Sequence, residues 1–181
     1  MADYDLVALW EEHCRYEFET RDVDATMATM VPAPYVNHIP TMTGGVGHDQ
    51  LKRFYKYHFI GNNPPDTALT PVSRTVGANS LVDEMVFSFT HTSEIDWMLP
   101  GIAPTGKKVE VPLIAIVQFQ DGKLVNEHIY WDQASVLVQI GLLEPGKLPV
   151  TGAEQARKLR DKTLPSNTLM TGWAKSEGKP T

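Results

Sequence analysis

Between Asp5 and Thr20 apolar side chains recur at Leu6, Trp10, Cys14 and Phe18, with Val7 beside them, while Glu11, Glu12, Arg15 and Glu19 occupy the other side. An apolar residue every fourth position predicts an amphipathic helix. Asp22 is placed to cap a second, short helix carrying Val23, Met27 and Met30, and Pro32 with Pro34 ends it because proline lacks the N–H that the next turn needs. Tyr35 to Ile39 reads as a short extended piece. Gly44, Gly45 and Gly47 mark a loop, after which Leu51, Phe54, Tyr55 and His58 share the spacing of a third helix, up to the breaker Gly61-Asn62-Asn63-Pro64-Pro65.

Beyond Pro65 the pattern changes to runs of β-branched and aromatic residues separated by turn signals. Leu69 to Val76, Gly77-Ala78-Asn79 and Ser80 to Thr92 predict two strands and a tight turn. A loop through Pro100-Gly101 and Pro104-Thr105-Gly106 leads to Lys107–Phe119, and Asp121-Gly122 joins that strand to Leu124–Trp131 as a hairpin. The expectation is a four-stranded antiparallel meander. Asp132 then opens a segment with Val136, Leu137 and Ile140 at helical spacing, stopped by Gly141. From Glu144 onward Pro, Gly, Lys and Thr dominate, with one short helix in Ala153–Lys162. The division expected is a domain over 1–143 and a C-terminal extension over 144–181.

Composition narrows the function classes. The chain has 181 residues, 42% of them apolar, which suits one globular domain with a sizeable core. Sixteen basic against 22 acidic residues leave a net charge of −6, the wrong sign for neutralising nucleic-acid phosphates. No apolar run approaches the ~18 residues that span a bilayer, and the start lacks a secretory leader's basic and apolar regions, so a cytoplasmic protein without a membrane partner is expected. The single Cys14 builds neither an intrachain disulfide nor a multi-thiolate zinc site. The six histidines show no H-x-H or H-E-x-x-H pairing, so no metal ligand set is read from spacing, although a cluster formed in space stays open.

The candidate chemistry lies on the last strand. Alternation puts His128, Tyr130 and the following Asp132 on one side and Glu127, Ile129 and Trp131 on the other. If the first set lines an apolar pocket, Asp132 is a general base, and its neighbours donate hydrogen bonds to an oxyanion. Asp132 equally suits the N-cap of the helix that follows it, and the two roles are compatible. His38, between two helices and a glycine loop, is expected near a cavity mouth, with Phe54 and Trp97 as apolar walls. A one-residue change of register would instead turn Glu127 and Trp131 inward and leave Asp132 to the helix terminus.

Three helices, a curved sheet and the closing D-x-x-x-x-L-x-Q-x-G segment form a recognisable pattern. The chain resembles the SnoaL-like polyketide cyclase group of the nuclear transport factor 2-like superfamily, over roughly Leu6 to Leu143. The likeness is most specific in Pro100-Gly-Ile-Ala-Pro-Thr-Gly106, Asp121-Gly-Lys-Leu-Val-Asn-Glu-His128 and Tyr130-Trp-Asp-Gln through Gln139-Ile-Gly-Leu-Leu143. It implies an α+β cone, a curved antiparallel sheet wrapped around about three N-terminal helices, whose open end holds a small apolar ligand. It also implies that Asp132 matches the family's acid/base aspartate. Gln118 stands in the region where the preceding strand can supply a histidine.

The function expected on these grounds is cofactor-independent proton transfer, as in cyclisation, isomerisation or dehydration, on a small hydrophobic carbonyl compound. Asp132 and His38 would be catalytic, and His128, Tyr130, Gln118, Phe54 and Trp97 would bind substrate. The alternatives are a non-catalytic ligand-binding or interaction module on the same fold, and lactone or epoxide hydrolysis, for which no Asp–Arg–Asp set stands out. Lys107–Phe119 is apolar on both faces, which calls for helices on one side and a second copy on the other, hence a homodimer.

Overall fold

The structure, a computed structural model, describes residues 4–180. Helix α1 (Leu6–Arg15) starts at Asp5, whose carboxylate accepts from the Ala8 N–H, and α2 (Val23–Ala28) starts at Asp22 in the same way. After α1 the chain continues through a wider π turn, Tyr16–Thr20; α3 (His48–Phe54) likewise runs into a π turn, Tyr55–Phe59. These inserted turns shift the phase of the side chains that follow.

The strands are β1 (Met30–His38), β2 (Thr43–Val46), β3 (Ala68–Val76), β4 (Ser80–Thr90), β5 (Lys108–Gln120) and β6 (Lys123–Trp131). They form one curved, unclosed sheet in the order β2-β1-β6-β5-β4-β3. The expected meander is present as β3 to β6, and the α+β architecture is as expected. The sheet is nevertheless six-stranded. β1 joins β6 in parallel and β2 antiparallel, so Met30 begins a strand instead of closing a helix. Pro32 and Pro34 fit in β1 because they fall within the irregular stretch between Met30 and Tyr35, where the ladder to β6 is interrupted and no N–H is required.

One face of the sheet carries Leu81, Met85, Phe87 and Phe89 of β4, alternate residues Val109 to Phe119 of β5, and Glu127, Ile129 and Trp131 of β6, all buried. Trp10 and Leu51 of the helices join this core. The other face shows Ile114, Gln118 and Tyr130 to solvent. Helices α4 (Gln133–Gln139) and α5 (Glu154–Arg160) pack against β5, with Ala156 fully buried and Arg160 reaching Glu110, and the chain runs on through a 3-10 turn at Trp173–Ser176. Among the described residues no helix is long and apolar enough to cross a membrane.

Gly44 fixes the β1–β2 hairpin that positions His38. Its φ of 137° is a conformation L side chains rarely adopt, and a Cβ there would collide with the Val36 carbonyl oxygen. Gly44→Ala is expected to cost about 2–4 kcal/mol in urea unfolding, from strain plus overpacking. Gly77→Ala, where φ is ordinary and a Cβ meets only the Ser80 hydroxyl at 3.1 Å and its carbonyl oxygen at 3.4 Å, should stay within about 1 kcal/mol.

Candidate active site

Along α1 the residues one turn apart on the buried face are Leu6, Trp10, His13 and, in the π turn, Glu17. Two of these four are ionisable, and both meet a third. His13 Nε2 lies 3.2 Å from a Glu17 oxygen and 3.2 Å from Glu127 Oε1, contributed by β6. Tyr55, first residue of the second π turn, donates its hydroxyl to Glu127 Oε1 at 3.3 Å. All four residues are buried.

Burial would hold the His13 imidazole neutral, but Glu17 and Glu127 outweigh it and push its pKa up to about 10. Burial also raises the Glu17 carboxyl, against the pull of His13, and raises the Tyr55 phenol, with both carboxylates adding to that rise. Thr29, at the end of α2, gives its hydroxyl proton to the Thr26 carbonyl at 2.6 Å, so its oxygen accepts from His13 Nδ1–H, also at 2.6 Å. This chain of donors points Nε2 at the carboxylates.

Glu17, Glu127 and Tyr55 line a chamber of about 40 Å³ whose other walls include Phe59, Phe87 and Trp97. It has room for about three water molecules. Trp10, Cys14, Phe18, Leu69 and Met85 line both this chamber and an outer cleft of about 490 Å³, so they stand between the two. The cleft's rim is charged: Arg74 grips Asp83 with two N–H groups at 3.1 and 2.9 Å and reaches Glu11 at 2.8 Å, while Trp10 Nε1 donates to Asp83 at 2.9 Å.

Of the residues singled out in the sequence, His38 and Trp97 line the chamber, with ring centroids 4.7 Å apart. Phe54 stands behind His38 at 5.6 Å. Trp97 is anchored by Nε1 donating to Asn63 at 3.0 Å and by its carbonyl accepting from the Thr41 and Thr43 hydroxyls. The other placements are corrected by the structure. His128 and Tyr130 lie on the opposite face of the sheet, His128 edge-on to Tyr35 and Tyr130 39% exposed. Gln118 is exposed there too, accepting from Asn126 at 2.7 Å. Asp132 caps α4 through the Ser135 N–H at 3.2 Å and accepts from Gln155, away from the chamber.

The reason is the register of β6. Ile129 and Trp131 belong in the core, and the strand's two-residue period takes Glu127 inward with them. Glu127 and Trp131 turned inward are the competing register weighed in the sequence, and it is the one the structure adopts; His13, Glu17 and Tyr55 were missed as site residues, although His13 and Glu17 are polar residues on the buried side of the first helix and its π turn.

Helices packed against a curved, unclosed six-stranded sheet are the fold of nuclear transport factor 2-like structures. Within that class the chain belongs to the SnoaL-like domain family, which matches residues 10–127. No curated protein sequence matches it. Among solved structures it is similar to TsrD from Streptomyces laurentii, at 20% identity over 79% of this chain and 100% of that one, with a TM-score of 0.60. A nuclear transport factor 2-like protein of unknown function from Burkholderia pseudomallei is 18% identical over 78% and 99% of the two chains, with a TM-score of 0.57. A protein of ketosteroid isomerase-like fold from Catenulispora acidiphila is 14% identical over 75% and 93%, with a TM-score of 0.55.

His38 supplies a pH test of the chamber. Its Nδ1 faces the Thr43 carbonyl at 3.2 Å, and burial, only partly offset by that carbonyl and by Glu127, lowers its pKa from 6.5 to about 4. The unfolded chain therefore takes up a proton below pH 6.5 that the folded chain refuses until pH 4. Stability from this group is present above pH 6.5 and falls by about 3 kcal/mol as pH drops to 4. His13, with its raised pKa, acts oppositely, its contribution being lost as pH rises from 6.5 towards 10. Urea unfolding of the wild type and of His38→Phe between pH 4 and 8 should show the acid-side slope reduced in the variant.

Proposed function

We propose that the chain is an enzyme of general acid/base proton transfer on a small hydrophobic carbonyl compound, acting through Glu127 with Tyr55 and Glu17. The observation that carries this reading is the placement of two carboxylates and a phenol on the wall of a chamber lined mostly by apolar side chains. A carboxylate with little water around it is a strong base towards a C–H next to a carbonyl. Glu127 takes that proton, and the electron pair of the C–H bond moves into an enolate. The Tyr55 hydroxyl, which donates to Glu127 at rest, then donates to the enolate oxygen. Return of the proton to another carbon completes an isomerisation; attack of the enolate carbon on a second carbonyl completes a cyclisation.

The chamber's size restricts the substrate. Only a reacting end of a few heavy atoms fits, and the rest of the molecule would lie in the cleft beyond Trp10 and Leu69.

The test needs no knowledge of the natural substrate. Exchange of α-hydrogens for deuterium in D₂O, followed by NMR over a panel of small cyclic and aryl ketones, should be accelerated by the wild type. Glu127→Gln should reduce the acceleration by about 10²–10⁴-fold, while Asp132→Asn should retain it. Equal rates for the wild type and Glu127→Gln over the whole panel would favour a ligand-binding module instead.

We propose a homodimer as the working form, because β5 is apolar on both faces and Ile114, 38% exposed, pairs with Tyr130 across the β5–β6 ladder. Light scattering should give about twice the chain mass at micromolar concentration, and Ile114→Lys should shift it towards one chain.

A further inference from the structure

In the His13–Glu17–Glu127 cluster the two carboxylate oxygens stand equally far from Nε2, 3.2 Å each. Two donors bound about 2.1 Å from a common ion stand about 3.0–3.4 Å apart at angles of about 90–110°. Both nitrogen–oxygen separations match that spacing, and all three donor atoms lie within 4.8 Å of one another.

A second, independent feature fixes the ligand atom. The Thr29 hydroxyl proton is committed to the Thr26 carbonyl, so Thr29 accepts from Nδ1–H, and a cation that displaces the proton on Nε2 meets the ring's lone pair there. Locking one ring nitrogen through a hydrogen bond, and so presenting the other, is how metal-ligating histidines are oriented. Glu17 and Glu127 also line the neighbouring chamber, and the Tyr55 hydroxyl stands 3.5 Å from Nε2.

We infer that His13 Nε2, Glu17 and Glu127 form a binding site for one first-row divalent cation, its two positive charges balanced by the two carboxylates. One nitrogen and two oxygen donors suit Zn²⁺, Mn²⁺, Fe²⁺ or Co²⁺. Two anionic carboxylates, a neutral imidazole and a dication sum to zero charge, which suits an apolar surrounding. The site does not depend on the proton-transfer reading, since binding is measured without turnover.

The experiment takes the full chain, determines its metal content by mass spectrometry after purification, strips it with EDTA and titrates it with Zn²⁺ and Co²⁺ by calorimetry, with Co²⁺ absorption reporting the ligand field. One ion per chain is expected. His13→Ala and Glu127→Gln should weaken binding at least 100-fold, and Thr29→Val, which touches no ligand atom except through the ring, by about 10–100-fold. Circular dichroism checks folding; if His13→Ala fails to fold, Glu17→Gln and Thr29→Val carry the test. Absence of saturable binding, or binding that survives in all folded variants, overturns the inference. If metal binding is absent while Glu127→Gln still abolishes deuterium exchange, the metal site falls and the proton-transfer reading stands.

Discussion

Burial of three ionisable side chains at one point, where α1 crosses the sheet, is the constraint on which the rest of this structure depends. His13, Glu17 and Glu127 have lost their water, and isolated charges in such a place would each cost several kcal/mol. They are tolerable only together. The cluster therefore ties the first helix of the chain to its last strand, over a sequence separation of more than one hundred residues. A fault in the register of β6 or in the phase of α1 would leave a buried charge without its partner, which is far costlier than the loss of an exposed pair.

The two π turns make this arrangement compatible with helical packing. Each widens the helix by a residue at the point where it reaches the chamber, and each supplies chamber residues: Glu17 and Phe18 from the first, Tyr55 and Phe59 from the second. An uninterrupted α-helix would carry these side chains round to different directions. The polar groups are thus built on rigid elements and held by neighbours, as with Thr29 behind His13 and Asn63 behind Trp97. Groups fixed in this way need little reorganisation when a ligand arrives. The outer cleft is built differently, with exposed Glu11 and mostly buried Arg74 at its rim, a surface open to variable parts of a ligand.

Asp132 shows how one residue type answers two demands from sequence. An aspartate between a strand and a helix satisfies the cap in any fold, because the orphan N–H groups of a helix start are local. Whether it also faces a cavity depends on which face of the preceding strand is inside. Here α5 supplies the second partner through Gln155, and the carboxylate is engaged on the side of the sheet away from the chamber.

Much of the fold was written locally. The caps at Asp5, Asp22 and Asp132, the alternation of β4 to β6, the Asp121-Gly122 hairpin and the apolar stripe of α1 each follow from interactions within a few residues, and they determined the α+β architecture and its family resemblance. Only the later part of strand β1 was legible, as the extended piece from Tyr35; its start at Met30 was not, because the prolines signal a break unless a gap in the ladder to a strand ninety residues away accommodates them. The site was half legible: His38 and Trp97 were placed by their surroundings in sequence, whereas for Glu127 and His128 the sequence left two registers open. Alternation specifies that adjacent residues face opposite ways, but it is symmetric with respect to inside and outside. Only tertiary packing, which buries Ile129 and Trp131 against Trp97 and His38, broke that symmetry and turned Glu127 towards His13.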